Sequence, residues 1–175
     1  MILRRAKSHG DYKQIKQLYL RAFPKCEQKP FWLIRYKTHK KTADIWVIED
    51  GDEFVGLAIT MNGSDLTLLD YFAIEEAKRN GGSGSQALAL LQDKYGDNRL
   101  FLEIERTDVE ADNIEERKRR KNFYLRNNMK EMHVNATLFG VPMELLGYHC
   151  DVSFEEYQQL YIANLGKFAK KNVKP

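Results

Sequence analysis

Cysteine is scarce: Cys26 and Cys150 are the only two in 175 residues. They lie far apart and neither belongs to a CxxC, so a disulfide framework and a thiolate zinc site have no support, and reduced thiols are expected. His9, His39, His133 and His149 show no short-range ligand spacing, and no metal is expected. Four prolines and 11 glycines are too few for a collagen-like or low-complexity chain. No apolar run approaches the roughly 20 residues that span a bilayer. Met1-Ile2-Leu3 runs straight into Arg4 and Arg5, without the apolar stretch of a signal peptide. A soluble, cytoplasmic protein with no membrane partner is expected. Charge of one sign is missing too. With 28 Lys+Arg against 25 Asp+Glu, the formal net charge is +3, too small a bias to argue for nucleic-acid binding.

What is present is a globular composition, 43% hydrophobic and 30% charged. Its length suits a single domain over residues 1–175. Ile2 and Leu3 read as a short strand, followed by a helix capped by Ser8 or Asp11 that carries Tyr12, Ile15, Leu18, Tyr19 and Ala22 on one stripe and breaks at Pro24. A second helix follows Pro30. Residues 45–48 and 54–59 are β-rich runs joined through Asp50-Gly51, the dipeptide of a type I′ turn, and residues 66–74 complete an antiparallel meander. The pattern then changes. Ala87, Leu88, Leu90, Leu91 and Tyr95 recur at helical spacing over residues 85–95, and residues 100–104 read as a strand reached by a helical crossover, hence parallel to the one before. A polar helix over residues 113–128, two strands around Gly140-Val141-Pro142, and one last helix capped by Ser153 and carrying Tyr157, Leu160, Tyr161, Leu165 and Phe168 complete the chain. The fold class is α+β: a mixed, mostly antiparallel central sheet flanked by helices, with one βαβ unit.

The residues between that meander and the crossover helix carry the functional information. Gly81, Gly82 and Gly84 crowd the entry to a helix. Such a turn leaves backbone N–H groups free to converge on an anion, and the helix dipole adds partial positive charge. Without side chains the backbone can approach closely. A plain surface loop would also tolerate this cluster. Two phosphate-binding templates fail here. Gly82-Ser83-Gly84-Ser85-Gln86-Ala87 satisfies GxGxxA formally, with Glu103 and Glu105 about twenty residues on, but a dinucleotide fingerprint follows its strand directly and is not preceded by an antiparallel meander. The P-loop lacks its Lys-Ser or Lys-Thr.

A third template, (Gln/Arg)-x-x-Gly-x-(Gly/Ala), is met at every fixed position by Arg79-Asn80-Gly81-Gly82-Ser83-Gly84. Here the chain resembles the GNAT superfamily of acetyl-coenzyme-A-dependent N-acetyltransferases. Residues 69–74 look like the strand before the family's loop, and Phe123-Tyr124 with Asn128-Met129 looks like its Phe-Tyr-x-x-x-Gly-Phe segment, with Asn128 in the place of Gly. The order of elements agrees over most of the chain. The Pro that usually precedes the Arg is missing, and a lengthened acidic stretch, residues 108–116, enters the later helix.

The resemblance implies a set of roles. Arg79, Asn80, Gly81, Gly82, Ser83, Gly84 and Ser85 would hold the coenzyme A pyrophosphate. The backbone of Phe72, Ala73 and Ile74 would pair with the pantetheine arm, with the Ile74 N–H as oxyanion donor. Tyr124 would be the acid for the departing thiolate; packing on the sheet is its plainer role. Glu103 or Glu105, ahead of Asp70, would be the base, against the alternative of a salt bridge at the strand. Strand alternation places Glu103 and Glu105 on one face. The run of charge from Glu115 to Lys121 reads as a solvated helix face with i,i+4 pairs. The expected activity is transfer of an acetyl group from acetyl-coenzyme A to an amine of a small molecule or peptide by direct attack, as a monomer or homodimer without a metal. The competing class is a non-catalytic acyl-coenzyme-A-binding or interaction domain of the same fold.

Overall fold

Ser8 starts the first helix for a local reason. Its side chain accepts the Asp11 N–H while the Asp11 side chain accepts the Ser8 N–H, a reciprocal box that satisfies two amides of the first turn. In the computed structural model, which describes residues 1–25 and 27–175, β1 (Ile2–Arg5) leads into α1 (His9–Ala22) and α2 (Phe31–His39). β2 (Ala43–Asp50), β3 (Glu53–Asn62) and β4 (Leu66–Ile74) follow. After α3 (Ser83–Lys94) and β5 (Arg99–Glu105) come α4 (Ile114–Leu125), β6 (Lys130–Leu138), β7 (Val141–Tyr148), α5 (Phe154–Leu165), α6 (Lys167–Asn172) and β8 (Val173–Lys174). The eight strands form one sheet in the order β1-β2-β3-β4-β5-β7-β6-β8. β4 and β5 are parallel, whereas β1 with β2, β2 with β3, β5 with β7, and β6 with both β7 and β8 are antiparallel. The mixed, mostly antiparallel sheet flanked by helices is the expected fold class. Among the described residues no helix is long and apolar enough to cross a membrane.

The chain divides into two compact units, Met1–Asn62 with Leu69–Lys94, and Gly63–Leu68 with Tyr95–Pro175. In the first, strand alternation sorts the core into two faces. Ile45, Val47, Leu57, Ile59, Tyr71 and Ala73 meet Ile15, Leu18 and Tyr19 of α1 and Ile34 of α2, whereas Ile48, Val55, Phe72 and Ile74 meet Ala87 of α3. Each aliphatic side chain buried in this way contributes about 1.5–3 kcal/mol. The sheet closes tightly at Gly56, where an added Cβ would lie 2.4 Å from the Ala73 carbonyl oxygen. Asp11 ties β1 to α1. It accepts both terminal nitrogens of Arg4 at 2.9 Å and the Lys7 and Ser8 amides at 2.8 and 2.9 Å, while Arg4 also pairs with Glu49. The Arg4 hydrogen bonds hold the Asp11 carboxyl well below the usual carboxylate range.

In the second unit, β4 and β5 pair at Leu66, Thr67 and Leu68 with Arg99, Leu100 and Phe101, and the pairing stops at Leu68 although β4 runs on to Ile74. β5 is antiparallel to β7 from Leu100 to Glu105. Phe101 meets Tyr157 of α5 edge-on, with ring centroids 6.3 Å apart.

Several local expectations need correction. The β2–β3 turn is not type I′: a bulge between Ile48 and Glu49 moves the pairing so that Asp50 faces Glu53, and of the two turn residues only Gly51 has positive φ, where type I′ requires both. Pro142 lies inside β7, opposite Thr137, and the turn is made by Phe139 and Gly140 at φ 49° and 88°. The last helix is two: Gly166, at φ 69°, ends α5, and Phe168 is 63% exposed beside Phe139 instead of continuing the core face. The two residues of β8 were not legible at all. The Cys26 thiol lies outside the described residues, and Cys150 donates to the Leu100 carbonyl at 3.3 Å with burial pushing its pKa up.

Two outcomes follow from this packing. Gly56→Ala is expected to cost about 1–3 kcal/mol in urea unfolding, because the methyl meets backbone and not a movable side chain. Since the Asp11 carboxyl titrates below its unfolded value, the stability it contributes is present above about pH 4 and is lost as pH falls through and below that point. Asp11→Asn should flatten the acid side of a stability–pH curve measured by urea titration.

Candidate active site

β4 ends at Ile74, whose side chain is held by Ile48, Val55 and Ala87. The Glu75 amide still reaches the Val55 carbonyl at 2.8 Å. A short 3-10 turn over Glu76–Lys78 reverses the chain, and the Arg79 Nε donates back to the Ile74 carbonyl at 3.0 Å. Asn80 and Gly82 then take left-handed φ values of 66° and 84° around Gly81 before α3 begins. The helix thus starts at Ser83, two residues earlier than its apolar periodicity implied, and Ser83, Gly84 and Ser85 form its first turn. The first amide of α3 to be satisfied by the backbone is that of Gln86, which reaches the Gly82 carbonyl at 3.0 Å. Among the described residues, the amides of Gly81, Gly82, Ser83, Gly84 and Ser85 donate to no backbone acceptor.

Gly82 is explained by its φ. Gly81 is not, because its φ lies outside the left-handed region and a Cβ there would meet no protein atom within 4 Å. Neither conformation nor packing requires glycine at 81. The row of amides at the positive end of a helix suits an anion such as a pyrophosphate.

Asp70, also on β4, accepts Lys29 Nζ at 2.7 and 2.6 Å, and the same ammonium lies 5.5 Å from the centroid of the Tyr71 ring. Tyr71 donates to the Glu27 carbonyl at 2.7 Å and Tyr19 to the Lys29 carbonyl at 3.0 Å. Burial pushes both phenol pKa values up. Asp70 therefore fastens the segment between α1 and α2 to β4, a partner that the sequence did not disclose.

Tyr124, Glu103 and Glu105 belong to the second unit. Tyr124 is buried at the end of α4, its ring edge-on to Phe123. Its carbonyl accepts the Asn127 and Met129 amides, with Asn128 at φ 66° in the position where the family pattern has Gly. Burial, opposed by the Arg120 charge, pushes its pKa up to about 12, and no hydrogen bond enters that balance. At neutral pH the hydroxyl is protonated and able to donate. Glu103 and Glu105 do share a face of β5, but their partners differ. Glu105 is ion-paired with Arg117 at 2.6 Å and Arg120 at 3.6 Å. Glu103 accepts the hydroxyls of Tyr157 and Tyr161, each at 2.5 Å. The sequence shows the two tyrosines on one helical face at i,i+4 spacing, but not the carboxylate they bond. Among the described residues no three metal-ligating side chains come together.

The sequence profile of the Acetyltransferase (GNAT) family matches residues 12–124, which include β4, the glycine loop, β5 and Tyr124. The chain belongs to the GNAT acetyltransferase family. No curated protein matches it in sequence. Among solved structures, a GNAT-family acetyltransferase of Bacteroides thetaiotaomicron is similar at 23% identity and TM-score 0.81, covering 95% of this chain and 99% of that one. An aminoglycoside 6'-N-acetyltransferase complexed with coenzyme A is similar at 14% identity and TM-score 0.66, over 84% and 96% of the two chains. The ribosomal-protein-S18-alanine N-acetyltransferase of Escherichia coli is similar at 14% identity and TM-score 0.60, over 87% and 95%. At these identities the likeness is one of GNAT fold.

Gly81→Leu offers a clean test of the loop. The variant should fold with an unchanged melting temperature, while its coenzyme A dissociation constant, measured by calorimetry, rises tenfold or more, a loss of about 1.4 kcal/mol per decade.

Proposed function

We propose that this GNAT protein transfers the acetyl group of acetyl-coenzyme A to an amine nitrogen of a small molecule or peptide, by direct attack and without a covalent enzyme intermediate. The observation that carries the reading is the row of unengaged amides from Gly81 to Ser85, with a glycine at 81 that the fold itself does not need. Arg79 and Asn80 shape that row, one by its bond to the Ile74 carbonyl and the other by its left-handed backbone. The backbone of Phe72, Ala73 and Ile74 pairs with the pantetheine arm, and the Ile74 N–H donates to the carbonyl oxygen as it gains negative charge. The aminoglycoside enzyme and the ribosomal-protein enzyme named above acetylate a small-molecule and a protein amine respectively, and both acceptor classes are open to this chain.

The chemistry asks for two proton movements. As the amine nitrogen bonds to the thioester carbon, its N–H becomes acidic and a carboxylate takes the proton; as the C–S bond breaks, the thiolate takes one from an acid. The products are an amide and free coenzyme A. Tyr124 supplies the second proton, since its raised pKa keeps the hydroxyl protonated at neutral pH. For the first, Glu103 or Glu105 on β5 is ranked ahead of Asp70 on β4, which is held by Lys29.

A panel of aliphatic, aromatic and peptide N-terminal amines, with detection of released thiol, tests the activity. Tyr124→Phe is expected to lower turnover about 10²–10⁴-fold at saturating substrates with coenzyme A affinity unchanged. Coenzyme A binding with no thiol release across the whole panel would identify a binding domain instead.

A further inference from the structure

The whole-chain charge of +3 conceals a local excess. Residues 12–42 carry nine Lys and Arg against the single acid Glu27, a charge of +8, so the other 144 residues carry −5. This stretch forms α1, α2 and the segment between them, all within the first compact unit. Each helix packs one side on the sheet, through Ile15, Leu18 and Tyr19 of α1 and Ile34 of α2. The opposite sides face solvent. On α2, Trp32, Arg35, Tyr36 and His39 recur at i, i+3, i+4 and i+7, a single stripe in which every residue is exposed, Trp32 at 70% and Tyr36 at 50%. Lys40 and Lys41 follow directly, and the Lys40 ammonium lies 5.7 Å from the centroid of the Tyr36 ring. On α1, Lys13, Lys16 and Leu20 are exposed, and the Arg35 guanidinium reaches across to lie 4.3 Å from the centroid of the Tyr12 ring. Arg21 and Lys29 are paired with Glu75 and Asp70, but among the described residues no salt bridge engages Lys13, Lys16, Arg35, Lys40 or Lys41.

We propose that this outer face of α1 and α2 binds a single-stranded nucleic acid, with bases stacked on Trp32 and Tyr36 and phosphates neutralised by Lys16, Arg35, Lys40 and Lys41. The excess of cations calls for a polyanion, and the aromatic rings set among them select which kind. A base presents a flat face that stacks on an aromatic ring whatever its sequence, and each nucleotide brings one phosphate for a neighbouring cation. A duplex keeps its bases stacked on one another and offers these rings nothing. An anionic bilayer fits less well, because a helix lying in a membrane surface buries its apolar face there, and the apolar face of α2 is already packed on the sheet. An acidic protein segment would satisfy the cations without calling for two open rings one helical turn apart. The inference is independent of acetyl transfer, since none of these residues belongs to the glycine loop or to the acid and base candidates.

The test is fluorescence anisotropy of a labelled oligouridine of about 20 nucleotides, titrated with the full chain at several salt concentrations. A phosphate contact on a single strand contributes about −0.7 to the slope of log affinity against log salt, so four engaged cations give a slope of about −3. Arg35→Ala, Lys40→Ala and Lys41→Ala combined should flatten it by about two. Trp32→Ala and Tyr36→Ala should each weaken binding about tenfold with the slope unchanged. Binding should also quench tryptophan emission, and the quenching should vanish in Trp32→Phe, which leaves the buried Trp46 as the sole reporter. Because all these positions except Trp46 are exposed, melting temperature and coenzyme A affinity should stay constant in every variant. Absence of binding at low salt overturns the proposal, and so does an affinity that both aromatic variants leave unchanged or that a duplex of the same length equals. Binding to mixed phosphatidylserine–phosphatidylcholine vesicles in place of oligouridine would overturn it in favour of a membrane-surface contact.

Discussion

The glycine loop depends on where β4 stops, and β4 is held there by a contact that admits no side chain. At Gly56 the backbone of β3 lies so near the Ala73 carbonyl that any Cβ would collide with it. That approach brings the Val55 carbonyl to the Glu75 amide and seats Ile74 among Ile48, Val55 and Ala87. Ile74 then serves the loop twice. Its side chain packs against the helix that the loop enters, and its carbonyl receives the Arg79 side chain. The left-handed turns at Asn80 and Gly82 then lead into the first turn of α3. An anion cradle of backbone groups is stiff only if its flanks are stiff.

Charge is distributed with a consistent logic. Where a carboxylate holds elements together it has a cation. Asp11 has Arg4 and locks β1 to α1, and Asp70 has Lys29 and closes the segment after α1. Such pairs are strong where they are shielded. Glu103 accepts from two buried phenols, partners that neither composition nor strand alternation discloses.

The relatives in structure span a small-molecule acetyltransferase and a ribosomal-protein acetyltransferase on one fold at 14% identity each. A fold shared at that distance is a scaffold for binding the acyl donor, and acceptor choice resides in the side chains grafted on it.

The sequence by itself determined the strands from β1 to β5, the helix after Pro30, both Ser caps and the glycine loop, because each rests on a short-range signal: alternation of two, a stripe of 3.6, a cap, or glycines before a helix. Its failures have a common cause. The β2–β3 turn type followed from a bulge in pairing, the division of the last helix from one left-handed glycine, and β8 from a contact with β6 that its two residues do not announce. The same limit governed the site. Arg79, Asn80, Gly81, Gly82, Ser83, Gly84 and Ser85 were legible as a loop because they lie consecutively along the chain. The partners of Glu103, Glu105 and Asp70 were decided only by tertiary structure, since they include residues 54 and 58 positions away for Glu103 and 41 away for Asp70. Side-chain chemistry is set by what surrounds a group in space, and for these carboxylates the surroundings come from elsewhere in the chain.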